Sequence, residues 1–122
     1  FKALVANAAV YNLYTQVGAD AWSDRSRFYE YWENPAAFQA TSPHMRAASF
    51  KTPTLVIHGQ LDYRVPVNHG IELFHTLRKR DVPTRLIYYP NENHWILQPQ
   101  NSLFWYGEVR KWVEQYAPPG PR

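Results

Sequence analysis

Hydrophobic residues fall into two kinds of pattern along the chain. Short unbroken runs occur at LVA (4–6), TLVIH (54–58) and RLIYY (85–89). Runs of this length, bounded by proline or glycine and rich in β-branched and aromatic residues, predict strands. LVA and TLVIH show no apolar–polar alternation, so both are expected to be buried on both faces. The second pattern has helical spacing. Ile71, Phe74 and Leu77, with Leu73 beside them, make one apolar stripe and predict a helix over 68–80. Trp105, Val109, Trp112, Val113 and Tyr116 share one face of a helix from about Asn101 to Tyr116. Arg110 and Glu114 form an i, i+4 pair on its polar side. Asn34-Pro35 and Ser42-Pro43 each place a capping residue before a proline, which starts a helix. Pro43 and Pro53 keep both of these helices short. The stretch YNLYTQVGADAWSDRSRFYEYWENP, from Tyr11 to Pro35, has neither period and predicts loop with short helices.

The resulting order is strand, irregular helical insert, strand, helix, strand, helix. Such alternation means an α/β fold with parallel strands joined by right-handed crossovers. Three strands are few for a complete sheet. The chain also opens with FKALVANAAVY, a strand and its approach, without an initiator Met. The expectation is a C-terminal piece of a larger protein. Residues 1–117 would form part of one domain, and 118–122 a flexible tail.

Composition narrows the function classes. The 122 residues include five Trp and nine Tyr, which argues against disorder outside the last residues. The formal net charge is only +3, and the basic residues are scattered except at Arg78, Lys79 and Arg80. That run suits the negative end of a helix, so no nucleic-acid stripe is present. No apolar run is long enough for a membrane span. Without cysteine there are no disulfides or thiolate sites, and the compartment cannot be inferred. No pair of histidines stands at metal spacing with a third ligand, so no metal and no cofactor is expected.

Candidate chemistry lies in the loops after the second and third strands, because ligands of parallel α/β sheets bind at the carboxyl ends of strands. HGQLDYRVP places Asp62 after TLVIH, and PNENHW places His94 after RLIYY. Adjacent strands lie about 5 Å apart, which lets the two side chains hydrogen-bond. Alone, Asp62 reads equally well as a turn residue and His94 as a surface histidine. Together they supply the acid and base of a hydrolytic triad. In the chain order nucleophile, acid, histidine, a serine in a G-x-S-x-G turn should precede Asp62. Ser23, Ser26, Ser42 and Ser49 are in no such turn, and Ser102 follows His94. The nucleophile is therefore expected outside this chain. His58 reads as structural, and His44, His69 and His75 as surface or helix residues.

HGQLDYRVP, a helix, a strand and PNENHW together resemble the C-terminal catalytic segment of the prolyl oligopeptidase family of serine peptidases. The likeness is greatest to its dipeptidyl-peptidase and acylaminoacyl-peptidase branches and runs from FKALVA to WVEQY. The Asp62-to-His94 separation of about thirty residues adds to it. The resemblance implies the C-terminal part of an α/β-hydrolase fold, with Asp62 as triad acid and His94 as triad base. It further implies a short peptide substrate and an upstream part of the same protein carrying the nucleophilic Ser and a β-propeller. A homo-oligomer is compatible with it. Arg64 and Val65 inherit a place lining the substrate site. Tyr11 and Tyr14, with Trp22 behind them, are candidates to wall a pocket. Trp95 departs from the family pattern, where glycine is frequent after the histidine, and is expected to narrow the site. Two other readings stand beside serine peptidase: a carboxylesterase of the same fold, and a non-catalytic fragment that only packs against a partner chain. By itself the chain is expected to be inactive.

Overall fold

The computed structural model describes residues 1–20 and 32–120. The expectations for Trp22, Ser23 and Ser26 fall outside the described residues. Three parallel strands, β1 (Leu4–Asn7), β2 (Thr54–Gly59) and β3 (Thr84–Tyr89), form a sheet in chain order. Leu4 pairs with Thr54, and Thr54 with Thr84, so the three strands start level. Their helices are α1 (Leu13–Gln16), α2 (Pro35–Thr41), α3 (Asn68–Lys79) and α4 (Pro99–Tyr116), and a 3-10 helix covers Pro43–Ser49. The α/β class predicted from the pattern is the one observed.

Alternation along the strands divides the core. Leu55, Ile57, Ile87 and Tyr89 face one side and pack with Ile96, Trp105, Val109 and Trp112 under α4. Val56, Ala6 and Leu86 face the other side and pack with Leu73, Leu77 and Val82 under α3. A strand covered on both faces can carry apolar residues at every position. Accordingly β2 is buried throughout. β1 was expected to match it but is only half-buried, because it has a strand neighbour on one side alone among the described residues.

The helices differ from expectation in detail. α4 starts at Pro99, earlier than Asn101, because the proline takes the first helical turn. Val113 is exposed rather than part of the buried face. Arg110 and Glu114 do pair, at 3.0 Å on the open surface. Asn34 caps α2 through the Ala37 N–H. Ser42 does not cap the 3-10 helix, because its buried hydroxyl accepts from the Leu13 N–H instead. Residues 118–120 are exposed and irregular.

Two backbone features hold the sheet's carboxyl end together. Gly59 lies against the Glu92 and Asn93 carbonyls so closely that a Cβ there would run into both oxygens. Around it, the Gln60 N–H donates to Tyr89 O and the Leu61 N–H to Glu92 O. On the α3 side, His69 is fully buried, not on the surface, and its Nδ1 accepts from the Tyr11 and Asn12 N–H groups.

Two predictions follow from this packing. Gly59→Ala forces backbone against backbone and should lower the stability of the intact protein by about 1–3 kcal/mol, read as a lower urea midpoint; an unchanged midpoint contradicts the close approach. Burial first, then the neighbouring His58, pushes the His69 pKa down to about 4, with Asp62 opposing. Between about 4 and 6.5 the unfolded chain binds the proton and the native one does not. Stability at His69 is therefore fully present above pH 6.5 and is lost as pH falls towards 4. Replacing His69 by Asn keeps an acceptor without a titration. That variant should lose less stability than the parent, by about 2 kcal/mol, between pH 7 and pH 4. Parallel urea-midpoint profiles for the two proteins would overturn the assignment.

Candidate active site

Gly59 ends β2, and the next residues turn sharply instead of continuing as strand. Asp62 makes that turn. Its Oδ1 accepts the N–H groups of Arg64 (3.0 Å) and Val65 (2.8 Å), the local bonding that lets aspartate shape a turn. The side chain is fully buried, and Oδ2 faces the end of β3. There it meets His94 Nδ1 at 2.9 Å. A carboxylate only accepts, so Nδ1 carries the proton and Nε2 of the neutral ring holds a lone pair. Nε2 has no hydrogen-bond partner among the described residues. A quarter of the His94 side chain is exposed, so the ring is within reach of solvent.

The loop carrying His94 is held from below by a carboxylate that sequence reasoning passed over. Glu92 is buried. Its Oε2 accepts the Leu97 N–H, and its Oε1 accepts the Gln98 N–H and Asn101 Nδ2. Burial opposes its charge, but these three bonds prevail and hold its pKa below the usual range. The bonds flank Ile96, whose φ of 51° is the left-handed conformation that β-branched residues avoid. Ser102 Oγ also donates to the Ile96 carbonyl. A strained residue two positions after His94 persists only because its surroundings over-determine it. In the sequence, Glu92 was one polar residue among several in PNENHW, with nothing to mark it as buried.

His58, at the end of β2, lies beneath the pair. Its Nε2 is 2.7 Å from the Val65 carbonyl and 3.5 Å from Asp62 Oδ2. Burial lowers its pKa, outweighing the opposing pull of the Val65 carbonyl and Asp62.

The remaining predicted site residues separate into two groups. Arg64 borders a cleft of about 210 Å³ together with Asp20, Tyr63, His94 and Trp95. Its guanidinium lies 5.3 Å from the centre of the Trp95 ring. Trp95 is largely exposed and stands edge-on to His94, so it forms part of the rim. Val65 is buried next to the pair and contributes its backbone. Tyr11, expected to wall a pocket, is buried in the α3-side core and lines a cavity of about 430 Å³ that shares no lining residue with the cleft at His94. Its hydroxyl bonds Thr76 and its N–H is held by His69. Tyr14 is half-buried on α1 against Phe38 and His44. That helix docks on the Asp62 loop, because Gln16 Nε2 donates to the Arg64 carbonyl at 2.8 Å. Asp20 follows, with its N–H on the Tyr63 carbonyl. Gln16 and Asp20 were not singled out in the sequence, since the contacts that place them span more than forty residues.

Comparison with known proteins bears on the family and the fold. The family model for the prolyl oligopeptidase family matches residues 1–119. The chain is 45% identical over 97 residues to dipeptidyl-peptidase 4 of Giardia intestinalis, covering 80% of this chain and 12% of that protein. It is 40% identical over 127 aligned positions to a probable dipeptidyl-peptidase 5 of Aspergillus niger, covering 96% of this chain and 17% of that one. Among solved structures, an acylaminoacyl peptidase of Pyrococcus horikoshii superposes on the whole chain with a TM-score of 0.87 at 22% identity, over 21% of its own length. Dipeptidyl peptidase 4 of Porphyromonas gingivalis gives 0.85 at 20% identity, over 95% of this chain and 16% of its own. These two establish a shared fold. The chain thus spans 12% and 17% of the two curated relatives. With an α/β-hydrolase peptidase fold, close sequence relatives among dipeptidyl-peptidases and a family match over nearly its full length, this chain belongs to the prolyl oligopeptidase family.

Proposed function

We propose that this chain supplies the acid and the base of a serine peptidase, with Asp62 as acid and His94 as base. The observation that carries the reading is the 2.9 Å bond from His94 Nδ1 to a fully buried carboxylate, with His94 itself lining an open cleft. A seryl hydroxyl placed at Nε2 loses its proton to His94 as its oxygen attacks a peptide carbonyl. Asp62 stabilises the imidazolium that forms. His94 then passes the proton to the leaving amine, and the C–N bond breaks. Water repeats the sequence on the acyl-enzyme and releases the acid. The serine comes from the preceding part of the same polypeptide, and so do the backbone N–H groups that bind the oxyanion.

The substrate is a short peptide, from whose amino end a dipeptide or an acylated residue is released. The names of the most similar relatives, dipeptidyl-peptidases, support this. Arg64, beside His94 on the cleft, binds a substrate carbonyl or carboxylate. Trp95 narrows the opening, and Tyr14 stands further back on α1. Val65 supports the cleft through its backbone on Asp62, and Tyr11 lines a separate cavity of about 430 Å³.

Asp62→Asn in the full-length polypeptide should leave the fold intact. It should lower kcat on a dipeptide p-nitroanilide by about three to four orders of magnitude, because the amide favours the wrong imidazole tautomer. Turnover equal to the parent enzyme's would end the triad assignment. A preference for short acyl esters with no amide hydrolysis would make the protein an esterase instead. Arg64→Ala removes one charged hydrogen bond to substrate, and KM should rise about tenfold with kcat little changed. Unaltered steady-state constants would remove Arg64 from the substrate site.

A further inference from the structure

β2 is the most completely buried strand of the sheet, and its last side chain is an imidazole where a leucine or phenylalanine would be expected from burial alone. His58 is 1% exposed. Burying an imidazole costs free energy unless its polar atoms find partners. One partner is present: Nε2 lies 2.7 Å from the Val65 carbonyl. A carbonyl only accepts, so Nε2 carries the proton and the ring is a neutral donor. The same nitrogen faces Asp62 Oδ2 at 3.5 Å, on the side opposite the turn's own N–H groups. Nδ1 has no hydrogen-bond partner among the described residues. A side chain that served only to fill the core would not need this polarity.

The bond to Val65 has a specific geometric consequence. The turn that holds the carboxylate is closed by the Arg64 and Val65 N–H groups on Asp62 Oδ1. Those bonds fix the carboxylate to the turn. The Asp62 N–H ties the start of the turn to the Gly59 carbonyl, and His58 ties its far end, running from β2 to the carbonyl of the turn's last residue. Room for its ring is provided by α3. A Cβ on Gly70 would lie 2.6 Å from His58 Nδ1 and 3.1 Å from its Cβ and Cγ. In an exposed helix interior glycine is less favourable than alanine. Here it is buried, and its missing side chain is the space the imidazole occupies.

We infer that His58 is a positioning residue for the triad acid: its ring is seated against Gly70, and its Nε2–H, on the Val65 carbonyl, helps anchor the 62–65 turn to β2 and so aims the Asp62 carboxylate at His94. The inference rests on the peptidase reading above and deepens it. His58 touches neither substrate nor the reacting atoms. Its loss acts through the orientation of Asp62, so it lowers kcat and leaves substrate binding in place.

The test uses the full-length polypeptide and a dipeptide p-nitroanilide, with circular dichroism to verify folding. His58→Phe fills the volume and removes the donor, and kcat should fall at least tenfold with KM within about twofold. His58→Gln carries an N–H at the reach of Nε2 and should restore kcat to within about threefold of the parent. His58→Asn carries its amide at the reach of Nδ1 and should remain low, which keeps the comparison available if the phenylalanine variant does not fold. Equal kcat in the Gln and Asn variants overturns the inference, as does a folded His58→Phe enzyme with parental kcat. Asp62→Asn is run alongside. If it is inactive while a folded His58→Phe enzyme turns over normally, only the positioning role fails. If it is fully active, the peptidase reading fails first.

Discussion

The site depends on one close approach of backbone to backbone. Gly59 allows the loop after β3 to rest directly on the end of β2. Two hydrogen bonds, from Gln60 to Tyr89 and from Leu61 to Glu92, bind the loops together on either side of that contact. Parallel strands in level register bring their ends to the same height, but they do not determine where the following loops go. The glycine contact does. With it, a turn residue on one loop and a ring on the other come to 2.9 Å. A Cβ at position 59 would overlap the Glu92 and Asn93 carbonyl oxygens, and the loops would have to part to relieve that overlap, stretching the hydrogen bonds between them.

Around this contact the polar groups are arranged in support of one another. Asp62 is bonded by its own turn, the turn is bonded by His58, and His58 is accommodated by Gly70. The His94 loop is bonded by Glu92, which uses both carboxylate oxygens on the start of α4. The positive end of a helix favours a carboxylate there. Asp62, Glu92, His58 and His69 thus each make at least one defined hydrogen bond, which offsets part of the cost of their burial, although His58 Nδ1 and His69 Nε2 have no partner among the described residues. The strained Ile96 shows that the loop is held, because an unrestrained chain would relax it.

The cleft above the pair is bordered by exposed groups of a different kind. Arg64, Trp95, Tyr63 and Asp20 are carried on loops, while the pair beneath is fixed by strand ends and a buried carboxylate. A stable base with variable surroundings is how one fold accommodates different substrates.

Much of this was readable in the residues. TLVIH and RLIYY are short, β-branched and punctuated by proline and glycine, so local chemistry alone marks them as strands. The stripes at 71–77 and 105–116 mark helices for the same reason: periodicity is a property of neighbours in the chain. Asp62 and His94 were also legible, because strand-end loops of a parallel sheet must carry the chemistry and few titratable residues lie there. The supporting residues were not legible. Glu92, Gly70 and His69 have no local pattern that separates them from a surface residue, a helix glycine and an exposed histidine, and His58 was legible as structural but not its bond to the Val65 carbonyl. The burial of Tyr11 and the half-exposure of β1 depend equally on which segments lie alongside. The chain's own sequence determined its strands and long helices and pointed to Asp62 and His94 as the pair that meets at 2.9 Å. Only the tertiary structure decided which polar groups lose water and find partners, because desolvation depends on packing between segments far apart in the sequence.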